Sequence, residues 1–149
     1  HVLFLASSPI LWKCQREKRT SRSSCEAEIK ATDECTKSIQ MFRNLLSEIG
    51  GFDLRKPTSI FNDNQGAVDW CKTTSTKGMR HVNIRENCVR EAIHEFNEVH
   101  IGHIPGPHNP SDIFTKEIKD VSLFLALRDT LLSRSPSLQI LANGVLSRM

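Results

Sequence analysis

The chain has 149 residues, 38% of them apolar and 25% charged, with a formal charge of +3. That length suits one domain with a real core, and the composition is that of an ordinary soluble globular protein. No apolar run reads as a bilayer span, no segment reads as a secretory leader, and so small a net charge argues for no partner by itself. The five cysteines, Cys14, Cys25, Cys35, Cys71 and Cys88, are odd in number and lack C-x-x-C spacing. This argues against zinc ribbons and disulfide frameworks and for a reducing compartment. Most of them fall at positions that look like core.

In chain order, VLFLA (2–6) and ILWKC (10–14) read as two strands joined through Ser7-Ser8-Pro9 into a hairpin. A chain that begins at His1 in mid-strand reads as a fragment of something longer. Residues 13–22 then hold Lys13, Arg16, Lys18, Arg19 and Arg22 against one acid, Glu17. This basic patch is compatible with a phosphate backbone, although a charge run taken alone is more often a solvated loop. Ser23-Ser24-Cys25-Glu26 forms a capping box for a long helix with Ile29, Cys35, Ile39, Phe42, Leu46 and Ile49 at helical spacing. Gly50-Gly51 ends it.

A strand follows over 58–62 and a short helix over 66–72. After a polar loop, 72–79, Ile84, Cys88, Ala92, Ile93 and Phe96 mark a second amphipathic helix. Residues 98–104 alternate like a strand. Asn109-Pro110 starts a helix expected to run to about residue 118, as N-cap and N1. Asp120 caps a last helix, 120–133, with Val121, Phe124, Leu125, Leu131 and Leu132 on one side. Residues 134–149 carry no pattern and read as a tail. The expected fold is α/β, a mixed sheet flanked by helices after an antiparallel opening. The expected division is a domain over 1–118, a helical extension over 119–133 and a tail over 134–149.

Three carboxylates stand out by position. Asp63 follows a strand end, where open α/β sheets bind ligands, although Asn62-Asp63-Asn64 also favours a turn. Glu26 and Glu28 open the long helix, and at ~100° per residue they point opposite ways. Glu28 projects onto the apolar face and Glu26 away from it. Glu26 has a structural role in the capping box. A glutamate on a buried face needs a partner charge or a metal. Asp112 sits at N3 of the helix begun by Asn109, where the helix dipole alone accounts for an acid. Together the three form a hard-oxygen set suited to magnesium and to phosphodiester hydrolysis. With the basic loop, they point to a nuclease. The histidines His94, His100, His103 and His108 straddle several elements without cysteine partners, and surface or packing roles suit them better than zinc.

At this point four motifs resemble the ribonuclease H domain of copia-type retrotransposon polyproteins: SSCEAEIKA (23–31), FNDNQGAV (61–68), MRHVNIRENCVRE (79–91) and NPSDIFTKE (109–117). Trp12-Lys13 also fits, and the resemblance covers residues 2–118. It implies a ribonuclease H-like fold that cleaves the RNA strand of an RNA–DNA hybrid with two Mg2+ ions, Mn2+ being an alternative. It implies an adjoining reverse transcriptase domain in a parent Pol polyprotein, no membrane partner, and a cytoplasmic or virus-like-particle location. Of the family's four metal-binding acids, Glu28, Asp63 and Asp112 have counterparts here. The fourth, on the first strand, is expected before His1, so the first strand looks missing and the chain alone is expected to be inactive or impaired. The sequence also departs from the family at Ile29, usually tyrosine, and at Asn62, usually an acid.

Hybrid contacts are expected from Lys13, Arg16, Lys18, Arg19, Arg22, Asn64 and Gln65. His108 or His103 is placed near the last acid, and His81 and Arg85 lie in the third motif with either a loop-ordering or a substrate role. The alternatives are a non-catalytic ribonuclease H-like binding or connection module and a degenerate element remnant. An upstream strand carrying aspartate favours the enzyme, and its absence favours the binding module.

Overall fold

The computed structural model describes residues 1–6, 8–15, 21, 23–74 and 87–132, and it is α/β with small sheets. The chain divides into two compact units, one formed by His1–Lys18 with Ile104–Arg148 and the other by Arg19–His103.

In the first unit, strands β1 (Val2–Leu5) and β2 (Ser8–Trp12) pair antiparallel as the expected hairpin, but Ser8 and Pro9 lie in β2 rather than in the link. The register slips between Leu3 and Phe4, so that Phe4 faces Pro9. Proline donates no ladder hydrogen bond, and an irregularity accommodates it. His1 and Lys13 close the ribbon, each backbone nitrogen donating to the other's carbonyl at 2.9 Å.

The helix expected from Asn109 to residue 118 is instead a 3-10 turn over Pro110–Phe114. Asn109 caps it, its Oδ1 accepting from Ser111 N–H at 3.1 Å. The turn stops because the N–H groups of Thr115 and Lys116 both return to the Asp112 carbonyl, at 3.0 and 2.9 Å, and Thr115 leaves helical geometry. The last helix, α4 (Val121–Leu132), begins as expected, with Asp120 Oδ1 accepting from Ser122 and Leu123 N–H. Its expected apolar side is not its buried side. Leu127 is buried, whereas Val121, Phe124, Leu125 and Leu132 are exposed. Apolar residues run nearly all round this helix, so the pattern singles out no face.

In the second unit, α1 (Ser24–Ile49) is the 26-residue helix expected from the capping box. Ser23 Oγ accepts from Glu26 N–H at 3.1 Å. Gly50 ends the helix at φ +76°, ψ 171°, a conformation essentially confined to glycine, and donates to the Leu46 carbonyl. Strands β3 (Thr58–Asn62) and β4 (Val99–His103) pair parallel, from Thr58 opposite Val99 to Asn62 opposite His103. Ile60, Val99 and Ile101 are buried in alternation. They pack with α1, α2 (Gln65–Lys72) and α3 (Asn87–His94), whose Ala67, Val68 and Val89 are fully enclosed. On α3 the expected face shifts, since Cys88 and Phe96 are exposed and Val89 and Ala92 carry the burial. Ile84 lies outside the described residues.

One expectation fails at the level of the sheet. Among the described residues there are two separate two-stranded sheets, β1-β2 and β3-β4, rather than one mixed sheet. Each ladder closes on its own partner, and none of the described strands joins them. No helix among the described residues is long and apolar enough to cross a membrane.

The cysteines also divide differently from expectation. Cys35 and Cys71 are buried, Cys25 is half-buried, and Cys14 and Cys88 are exposed. Burial pushes the Cys35 thiol up to about 11 and the Cys71 thiol up to about 12. Brief iodoacetamide labelling of the native chain at pH 8 should therefore modify Cys14 and Cys88 first. Cys35 and Cys71 should label only after unfolding, because the thiolate is the reactive form. Peptide mass spectrometry reads this directly, and equal labelling of all five would contradict the packing.

Candidate functional site

The buried face of α1 is more polar than its sequence pattern suggests. It consists of Ile29, Thr32, Asp33, Cys35, Thr36 and Ile39. The two threonines turn their hydroxyls onto their own helix, Thr32 donating to the Glu28 carbonyl at 2.8 Å and Thr36 to the Thr32 carbonyl at 2.9 Å. This satisfies the hydroxyls within the helix and lets their methyl groups pack. Asp33 Oδ2 pairs with Lys37 at 2.6 Å, while its Oδ1 is buried without a hydrogen-bond partner among the described residues.

Thr32, Asp33 and Thr36 rotate the buried face toward Glu26. That glutamate is therefore not opposite the face, as its projection against apolar residues alone implies. It is half-buried and ion-paired with Lys30 at 2.8 Å. Glu28 is half-buried, on the face as expected.

What Glu28 meets there is the end of β3. Asn62 is 7% exposed, and its Nδ2 donates to Glu28 Oε2 at 3.2 Å and to Thr32 Oγ1 at 3.1 Å. Its Oδ1 accepts from the Asn64 N–H at 2.7 Å, an Asx-turn that encloses Asp63. Asn64 Oδ1 in turn accepts from Ala67 N–H at 3.0 Å and caps α2. One stretch thus carries an anchor to α1, a half-buried aspartate and a helix cap on consecutive residues.

The first turns of α1 and α2 also touch. A Cβ on Gly66 would lie 3.2 Å from Asn64 Oδ1 and 3.5 Å from Cys25 Sγ, so the approach favours glycine. The Cys25 thiol is pushed up by burial and then by the negative charge of Glu28. Glu28, Asp63, Asn62 and Thr32 therefore form one junction at the carboxyl end of β3. His103, the residue paired with Asn62 across the sheet, is at that same end and exposed.

Asp112 belongs to the other unit. It is half-buried at the start of its 3-10 turn and ion-paired with Lys116 at 2.9 Å. His108, also in that unit, is exposed. Gln65 is exposed and donates to Asp69 Oδ1 at 2.7 Å, and Lys13 is exposed at the end of the β1-β2 ribbon. Arg16, Lys18, Arg19, Arg22, His81 and Arg85 lie outside the described residues. His94 contacts the Cys71 carbonyl at 3.1 Å, a packing role, and His100 is exposed.

Among the described residues, no group of three or more His, Cys, Asp or Glu side chains is gathered to hold a metal. The junction offers two carboxylates, Glu28 and Asp63. That donor chemistry suits one hard cation of the magnesium type, which takes one or two carboxylates and keeps several waters. It does not amount to a two-ion site. Sequence reasoning read Asn62 only as a turn residue and passed over Thr32. The usable signal was a polar side chain at an inward-facing strand position.

Two curated proteins resemble the chain, both from Arabidopsis thaliana. It is 26% identical over 123 residues to the retrovirus-related Pol polyprotein from transposon RE2, covering 82% of this chain. It is 27% identical over 119 residues to the corresponding polyprotein from transposon RE1, covering 79% of this chain. The chain spans about 8% of the length of each of these relatives. No protein-family model and no solved structure matches it. The chain is thus similar to one short region of retrovirus-related Pol polyproteins.

Proposed function

We propose that this chain is the ribonuclease H-like region of a retrotransposon Pol polyprotein. Its parent would hydrolyse the RNA strand of RNA–DNA hybrids during reverse transcription, beside a reverse transcriptase domain. The observation that carries this reading is the junction at the end of β3, where Asn62 joins Glu28 on α1 to the turn bearing Asp63. The Pol polyprotein relatives support it. Glu28 and Asp63 would hold Mg2+ or Mn2+. When bound, the ion supplies charge stabilisation to a phosphodiester and lowers the pKa of a bound water. Asn62 would hold the Glu28 carboxylate and the backbone of the turn that bears Asp63.

A second reading, a non-catalytic module that holds hybrid or docks on a polymerase domain, is favoured by one observation. No group of three metal-binding side chains is gathered among the described residues.

A hybrid cleavage and binding assay on the 149-residue chain separates the outcomes. In Mg2+ the chain should bind hybrid with an affinity that falls steeply with salt, because phosphate contacts dominate. Mg2+-dependent cleavage abolished by Asp63→Asn would establish the nuclease, and binding without cleavage would favour the second reading. Absence of binding at low salt would count against both nucleic-acid readings.

A further inference from the structure

We propose that Asn62 is the positioning residue of this junction, fixing the Glu28 carboxylate and the Asp63 backbone together as a cation-binding pair. The inference rests on the metal reading of Glu28 and Asp63 and deepens it. Its basis is how completely one buried side chain is used. Both ends of the Asn62 amide are engaged, Nδ2 with Glu28 Oε2 and Thr32 Oγ1, Oδ1 with the backbone N–H beyond Asp63.

The geometry selects for an amide. An ionised aspartate has nearly the same shape and can accept from Asn64 N–H, but it cannot donate to Glu28. Leucine does neither. Packing alone would accept an apolar residue at a strand position 7% exposed, where an unsatisfied polar group is costly. The hydroxyl of Thr32 completes the arrangement. Donating to the Glu28 carbonyl orients its lone pair toward Asn62 Nδ2, so Asn62 is held from the same helix turn that carries Glu28. A carboxylate that must meet a cation gains from being held in one orientation beforehand, and loss of such a supporting hydrogen bond typically weakens metal binding by ~10–100-fold. Asn62 reaches both members of the pair at once. It holds Glu28 through a side-chain bond and Asp63 through the turn that closes over it.

The test uses the 149-residue chain and Mn2+ alone, followed by paramagnetic broadening of backbone amide signals and by the side-chain amide signals of Asn62. In the wild-type chain Mn2+ should broaden Glu28 and Asp63 first. Asn62→Ala should weaken that binding by at least ~10-fold, with signals remote from the junction unchanged. Thr32→Val, which leaves the strand intact, should weaken it in the same direction, and Thr32→Ser should restore it. Unchanged Mn2+ affinity in both Asn62→Ala and Thr32→Val would overturn the inference while leaving the metal reading in place. Failure of Mn2+ to broaden Glu28 and Asp63 in the wild-type chain would overturn both. In that case a shift of the Asn62 side-chain amide protons on Glu28→Gln would show the hydrogen bond to be real and the metal reading to be the failed step.

Discussion

Asn62→Asp is expected to lower the stability of the fold by about 2–4 kcal/mol at neutral pH, the cost of breaking a buried polar pair and leaving like charges together. The substitution preserves shape and changes what the atom at Nδ2 can do. An oxygen there faces Glu28 Oε2, now 3.2 Å from an amide donor. Two carboxylates this close, one buried and one half-buried, do not both ionise without penalty. The pair therefore holds one proton more tightly when folded than either carboxyl does when unfolded, and its folded pKa is raised. A raised folded pKa contributes stability below the unfolded value and loses it as pH rises through the folded value. The mutant should accordingly approach the wild-type chain below the ordinary carboxyl range and show its full deficit near pH 7.

Urea denaturation at several pH values measures this. A loss independent of pH would mean that packing, not charge, is at stake. A divalent cation should recover part of the deficit at pH 7, since it binds the folded mutant and not the unfolded chain. Recovery equal to that given by NaCl at matched ionic strength would argue for screening instead.

Much of this fold is legible in the sequence because local rules dominate where local rules suffice. Ser23, Asn64, Asn109 and Asp120 each accept backbone hydrogen bonds at the starts of their elements, as their residue types imply. Gly50 ends α1 where a glycine must. Glu28 is readable as an acid on an inward face. Its partner is not, because Asn62 lies 34 positions away and looks like a turn residue. The buried face of α1 is rotated away from its apolar pattern for a related reason. Threonines that satisfy their hydroxyls on their own helix behave as small apolar residues, and hydropathy counts them as polar.

The 3-10 turn after Asn109 shows the limit of capping rules. They fix where an element begins and not whether its ladder closes at i+4. The even apolar coverage of α4 hides its buried side for the opposite reason, too much signal rather than too little. Strand pairing across long separations is a tertiary fact, and so the two separate sheets were not foreseeable from alternation.

Arg90→Ala is expected to cost about 2–4 kcal/mol, through a contact that binds α3 to α2. The Arg90 guanidinium lies 3.9 Å from the centroid of the Trp70 ring, and its Nε and Nη2 donate to the Trp70 carbonyl at 3.0 and 2.9 Å. Helix α2 has eight residues and is too short to persist by itself. Its last turn must find donors for its carbonyls, and two come from α3, one turn apart: Arg90 to Trp70 and His94 at Cys71, 3.1 Å away. A cation at a helix C-terminus is favoured by the dipole as well.

Burial works against the charge and lowers the Arg90 pKa, with the electrostatic influence of Cys71 acting in the opposite direction. The guanidinium stays protonated regardless, so the contact should not vary with pH across the neutral range. Arg90→Lys keeps a cation over the ring and loses the two-pronged bond to the carbonyl, and it should cost about half as much. In a Trp12→Phe background, the fluorescence of Trp70 should shift to the red in Arg90→Ala as water reaches a ring now 8% exposed. If lysine proves as damaging as alanine, the fork to the backbone is the whole of the interaction. If neither substitution changes the unfolding midpoint, α2 is held by Val68 and Cys71 packing alone. The junction at Asn64 would then depend on that core rather than on the α3 cap.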